Sequence, residues 1–217
     1  MNKLIAALSF AMLALGTAQA QPNTSAWSEG GLVQKEVPGI DKAFVRPDAS
    51  LAEYKKVMLK PVQVSFRKGW LQQPLPGSKF PINPADAQKI RDKLAKLMHE
   101  EFSKELQAGG YQVVEAPGED VLQVDAGIAD LYVAAPKATK TPTTRVIAVS
   151  AGEMSLVAIL SDSLSGDALA RVFDYASAHE TTRGQTISSV DNEAEARGIV
   201  KEWRSSCLLY TSPSPRD

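Results

Sequence analysis

Residues 83–110 constrain the fold more than any other stretch of the chain. Ile90, Leu94, Leu97, Met98, Phe102 and Leu106 recur at spacings of three and four, which puts them on one stripe of an α-helix, with Lys, Arg and Glu filling the other side. Asn83 offers an N-cap side chain, Pro84 has the φ of a first helical position, and Asp86 falls in the first turn at the positive end of the helix dipole. Gly109-Gly110 ends the helix, since glycine enters the left-handed region without a Cβ clash. A helix with a single apolar stripe needs a surface to lie on.

The flanking runs supply that surface. Between Tyr54 and Phe66, apolar Val57, Leu59, Val62, Val64 and Phe66 alternate with polar residues, and the phase slips by one at Pro61. Proline cannot donate to a sheet ladder, so one strand with a bulge at Pro61 is expected. Tyr111–Glu115 predicts a short strand and Val121–Ala135 a long one, with Gly127 marking a bulge or a close backbone approach. Arg145–Val149 offers a further short strand, and Pro136–Thr144 a Lys/Thr/Pro loop. Glu153–Tyr175 predicts a β-hairpin turning at Ser165-Gly166-Asp167. After a loop over Gly184–Ser189, Asp191 caps a second helix whose face is Ala196, Ile199, Val200 and Trp203. The expected class is therefore α+β: a mainly antiparallel sheet of about five strands with two helices packed on one face. Residues 51–206 form that single domain, and residues 21–50, polar and broken by Gly30-Gly31, Pro38-Gly39 and Pro47, form an extended lead-in.

The two ends differ from the body. Lys3, the apolar run Leu4–Leu15 and the small residues of Ala18-Gln19-Ala20 have the three-part order of a cleavable secretory leader, residues 1–20. The apolar run is too short to span a bilayer, which takes about 20 residues. Processing would leave Gln21 first, where a lipoprotein would carry cysteine, so a periplasmic location without a lipid anchor or a transmembrane helix is expected. Residues 207–217 read as a translated sequencing adapter, which leaves the natural terminus beyond about Ser206 unread.

Several classes of chemistry are excluded. The only cysteine, Cys207, lies in that tail, which removes disulfides, thiol catalysis and thiolate metal sites from the body. A formal net charge of −1 gives no nucleic-acid footprint. His99 and His179 have no neighbour at ligand or triad spacing. No nucleophile elbow, phosphate loop or zinc-protease helix occurs. Asp125, Asp130, Asp162, Asp167 and Asp174 lie on or near strands, yet Asp162 and Asp167 flank a turn, where aspartate is favoured for conformational reasons. Tyr111, Tyr132, Phe173 and Tyr175 suit cross-strand packing better than a ligand cleft. No catalytic, cofactor-binding or metal-binding residue is expected.

One segment stands out. Arg67–Asn83 is rich in proline and glycine yet carries Trp70, Leu71, Leu75 and Phe80 without a regular period. Large apolar side chains on such a loop either fold back onto the core, the commoner outcome, or meet a partner. These four residues are the candidate interaction loop.

Gly31-Leu32-Val33, Phe44-Val45-Arg46-Pro47, and Tyr54 through Val64 are similar to the bacterial family called domain of unknown function 3313. So are the hairpin Asp162–Asp167 with Leu169-Ala170, and the late helix with Asn192, Ala196 and Trp203. The resemblance spans nearly all of residues 30–206 and implies an exported protein or lipoprotein of Gram-negative envelopes; it transfers no site residues. The first expectation is a non-enzymatic periplasmic protein that binds another envelope protein or lipoprotein through the sheet face or the Trp70–Phe80 loop. A small-molecule or glycan-binding module is the alternative, and a wall-active hydrolase the third.

Overall fold

The computed structural model describes residues 26–74, 79–134, 146–148, 152–178, 185–187 and 194–203. The leader, the tail, the 136–144 loop, Leu75, His179 and the Asp191 cap lie outside the described residues.

The long helix forms as its local chemistry dictates. In α1 (Pro84–Ala108) the Asn83 side chain accepts the backbone N–H of Asp86 at 2.9 Å and closes the first turn. At the other end Tyr111 N–H bonds Leu106 O (2.9 Å) and Gly110 N–H bonds Gln107 O (3.0 Å), with Gly110 at φ 87°. That is a Schellman closure, and the positive φ explains the glycine. Leu94, Leu97, Met98, Phe102 and Leu106 are buried in the main core, where each fully buried apolar side chain contributes about 1.5–3 kcal/mol.

The sheet has eight strands, not about five. β1 (Val33–Val37), β2 (Ile40–Val45), β3 (Lys56–Leu59), β4 (Gln63–Phe66), β5 (Gln112–Val114), β6 (Val121–Val133), β8 (Gly152–Asp162) and β9 (Ala168–Ser177) lie in the order β1-β2-β9-β8-β6-β3-β5, with β4 also on β6. The additional strands come from two places. The expected lead-in contains a hairpin: Pro38-Gly39 turns the chain, Gly39 at φ 74°, so that Val37 faces Ile40, and β2 then pairs β9 antiparallel. The 54–66 run divides at Lys60–Val62, both pieces pairing β6. Its partners step from Leu59↔Val124 to Gln63↔Gly127, so the β3–β4 side holds one extra residue, the bulge that the phase slip at Pro61 signalled. A Cβ on Gly127 would stand 3.1 Å from Gln63 O, which accounts for that glycine.

The antiparallel pairs β1–β2, β2–β9, β9–β8 and β8–β6 dominate, but β3, β4 and β5 enter in parallel. α1 accounts for β5, because a helix between strands carries the chain back to its starting end, and the 115–120 link returns it once more so that β6 also runs parallel to β3 and β4. A small separate pairing joins β7 (Val146–Ala148) to β10 (Gln185–Ile187), so part of the expected 184–189 loop is strand.

One face of the sheet is covered. Leu122, Val124, Ala126 and Ile128 of β6, with Met154, Leu156, Ala158 and Leu160 of β8, share a core with α1 and with Ile199, Val200 and Trp203 of a second helix, α2, described over residues 194–203. Glu101, buried on α1, lies 3.7 Å from Arg197 on α2 and ties the two helices together. Beneath α2 the Trp203 indole N–H donates to Asp174 on β9 at 2.6 Å. Burial, first of all, raises the Asp174 carboxyl above its ordinary value. On the opposite face Trp27 packs edge-on against Phe173 (6.1 Å) and tilted against Phe44 (6.3 Å). Among the described residues no helix is long and apolar enough to cross a membrane.

Candidate functional site

The candidate loop is built where β4 runs out. Arg67 N–H bonds Leu131 O at 3.0 Å, the last rung on β6, and Gly69 at φ 81° turns the chain into a 3-10 turn over Trp70–Gln72. Trp70 folds back. It is 6% exposed, lies on Ile82 and Ala87, and stacks on Phe66 with ring centres 4.7 Å apart and planes 7° from parallel. Leu71 is half-buried against the same cluster. Phe80 differs: it is 73% exposed, the most open large apolar side chain among the described residues. The loop therefore divides into a packed base and a projecting tip, with Leu75 outside the described residues.

Charged groups brace the base. The Arg91 guanidinium lies 5.0 Å over the Phe66 ring and Arg67 5.1 Å over Tyr132, both cation–π contacts. Arg67 also pairs with Glu153 on β8, whose carboxylate accepts the Tyr175 hydroxyl at 3.1 Å. The hydrogen bond from Arg67 holds the Glu153 carboxyl below the ordinary glutamate range, and the same bond raises Arg67. Asp130, at φ 52°, is the non-glycine residue at positive φ among the described residues and sits in the irregular stretch where β6 slips against β8 between Ala129 and Tyr132. Aspartate tolerates that region better than most side chains.

Glu153 is already engaged by its cation, and His99 is exposed on α1. Among the described residues no three His, Cys, Asp or Glu side chains converge as metal ligands. Asp125 is exposed, and Asp174 is occupied by Trp203 and by Asp41 N–H at 2.9 Å.

A second cluster sits at the far end of the β8–β9 hairpin. Asp162 accepts the backbone N–H groups of Leu164 (3.0 Å) and Ser165 (2.8 Å), and Tyr54 donates its hydroxyl to it at 3.1 Å. These bonds, led by the Ser165 N–H, lower the Asp162 carboxyl, while burial and the Asp162 contact push Tyr54 up to about 12. Arg46 Nε donates to Ala168 O at 3.0 Å. Arg46, Tyr54 and Asp162 thus lock the turn to the preceding strands. The model of the family described as "Protein of unknown function (DUF3313)" matches residues 28–204, a span that takes in every described strand and the described part of α2.

The chain belongs to the DUF3313 family.

For this DUF3313 member the described parts of the motifs that suggested the family fall on strands, on the β8–β9 turn lock and on α2. No curated protein matches the chain. Among solved structures it is similar to a PelC dodecamer from Paraburkholderia phytofirmans, at TM-score 0.41 and 11% identity over 84% of this chain and 98% of that one. A protein described as a neuraminyllactose-binding hemagglutinin homolog from Helicobacter pylori gives TM-score 0.39 and 13% identity over 76% and 91%. A minor lipoprotein from Acinetobacter baumannii gives 0.30 and 10% over 72% and 91%. Similarities this distant transfer no function.

The array residues Arg67, Arg91 and Glu153 were not among the candidates read from sequence, and Tyr132 was read there as cross-strand packing. Arg67 and Glu153 stand 86 positions apart, and no local pattern links them. The one hint was positional: Arg67 follows the last apolar residue of a strand and opens the aperiodic loop.

Proposed function

We propose that this DUF3313 member is a non-enzymatic, exported binding protein of the cell envelope, with the Phe80 tip as its contact surface. The observation that carries the reading is the division of the loop: Trp70 buried and stacked, Phe80 73% exposed on the same loop. An aromatic side chain left in water loses the stabilisation that burial would bring, about 1.5–3 kcal/mol. One that projects from an ordered base can recover it in an interface with little further ordering cost. Export is supported by the leader-like order of residues 1–20, and periplasmic placement follows from it.

Affinity capture from envelope extracts tests the reading. Wild-type protein should retain a component that Phe80→Ala loses and that Leu164→Ala keeps; Leu164 is 61% exposed on the distant hairpin turn and serves as the control. Identical retention by all three proteins would remove the tip from the contact surface. Trp70→Ala is the wrong probe, because it would unsettle the base.

A further inference from the structure

The sheet face turned away from the helices carries a pattern of its own. Alternate residues of β6, β8 and β9 point to it, and the register sets them in rows. Asp125, Ile159 and Arg171 form one row, Gly127, Val157 and Phe173 the next, and Ala129, Ser155 and Tyr175 the third. Ile159 is 37% exposed and Tyr175 47%, while Val157 and Phe173 are half-buried. An acid thus stands on one side of an exposed isoleucine and a base on the other, two strand spacings or about 10 Å apart. Neither forms an ion pair with another described residue; Arg171 bonds the backbone carbonyl of Ala26. Size divides the same way. β9 presents Arg171, Phe173 and Tyr175, with the Trp27 ring on Phe173, whereas β6 presents only the short Asp125, Gly127 and Ala129.

We infer that two copies of this chain pack through this face, about a two-fold axis that runs along β8. Such an axis exchanges the β6 side with the β9 side. Asp125 of each copy then faces Arg171 of the other, the aromatic side chains of β9 face the short ones of β6, and Ile159 and Val157 meet their counterparts at the centre. The crossing angle of about −30° usual between packed sheets displaces these pairings by only a few ångströms near the axis. The flanking lysines meet no like charge. Lys42, level with Phe173 on β2, would face Gln63, level with Gly127 on β4. Lys60, just past Leu59 of β3, would face Phe44 beneath Trp27. Glu153, at the end of β8, is already held by Arg67. The face is five strands wide. Over about seven residues of strand it covers on the order of 500 Å², less than the roughly 800 Å² per partner of a standard interface, so the dimer is reversible. This surface is separate from the contact role proposed for Phe80 and goes beyond it.

Sedimentation equilibrium of the purified protein, at about 1–500 μM, tests the inference. Wild type should pass from monomer to dimer across that range. Asp125→Arg and Arg171→Asp should each weaken the dimer by about tenfold or more, because each sets like charges face to face at both ends of the central row. Mixing the two variants should restore a dimer containing one copy of each, since both facing pairs are then opposite in sign. Lys96→Ala, on the exposed side of α1, should change nothing. Circular dichroism melting establishes that each variant is folded. Should Arg171→Asp fail to fold, Ile159→Lys takes its place: it sets two lysines together on the axis and should leave a monomer. Overturning results are a wild-type monomer at every concentration, a dimer indifferent to Asp125→Arg or Ile159→Lys, and a mixture of folded charge variants that stays monomeric. A monomer that uses Asp125 and Arg171 to retain a different protein from envelope extracts would overturn it as well.

Discussion

Replacing Trp70 or Phe80 by alanine removes an aromatic ring from the same loop, and the two substitutions should have very unequal consequences for stability. Trp70 is 6% exposed, stacked on Phe66 and packed on Ile82 and Ala87, so Trp70→Ala loses the buried ring and opens a cavity under α1. Deletions of this kind cost about 3–5 kcal/mol. In a domain of this size each kcal/mol moves the melting temperature by about 2–4 °C, so a drop on the order of 10 °C is expected. Phe80, 73% exposed, has little burial to lose, and Phe80→Ala should stay within about 0.5 kcal/mol of wild type. Urea denaturation followed by tryptophan fluorescence and circular dichroism measures both. Circular dichroism carries the comparison for Trp70→Ala, which removes one of the fluorophores. A loss of more than about 2 kcal/mol in Phe80→Ala, or of less than about 1 kcal/mol in Trp70→Ala, would refute the division of the loop into base and tip.

Three further outcomes are expected. Gly127→Ala should destabilise by about 1–3 kcal/mol, because the new Cβ meets backbone at 3.1 Å from Gln63 O; an unchanged urea midpoint would contradict the close β4–β6 approach. Tyr54→Phe should cost about 1 kcal/mol and remove the tyrosine that titrates near pH 12 in an ultraviolet absorbance titration; survival of that transition would reassign it. Glu153→Gln should lower stability at neutral pH by about 0.5–1 kcal/mol, a figure reduced for the solvent that reaches both partners. Because Arg67 depresses the folded pKa of Glu153, its contribution is present above the unfolded value of about 4.3 and is lost as pH falls through the lower folded value. Glu153→Gln should therefore flatten the acid limb of stability against pH, and an unaltered limb would rule out that ionisation. Asp174, raised by burial, acts in the opposite sense: protonation on acidification relieves it.

How much of this could be read from the chain depended on how local each cause was. α1 was legible to its caps, because Asn83, Pro84 and Gly109-Gly110 act within a few residues of themselves. The β8–β9 hairpin and the bulge at Pro61 were legible for the same reason. The β1–β2 hairpin was not: β1 is an edge strand with nearly every side chain in water, so it shows no apolar alternation. The parallel entry of β3, β4 and β5 was implicit in a strand–helix–strand order, and the dominant antiparallel hairpins hid it. Trp70 and Phe80 look alike in an aperiodic loop. Only the ring of Phe66 and the first turn of α1, brought beneath Trp70 by the tertiary fold, tell them apart. The Arg67–Glu153 brace depends on the same long-range meeting.

The contact role of the Phe80 tip is tested most directly by a photo-crosslinking amino acid placed at position 80, and in a separate strain at position 164, in cells that export the protein. Irradiation should yield a discrete adduct, of protein or of lipid, from position 80 and none from position 164. Adducts from position 164 alone, or from neither position, would contradict the account.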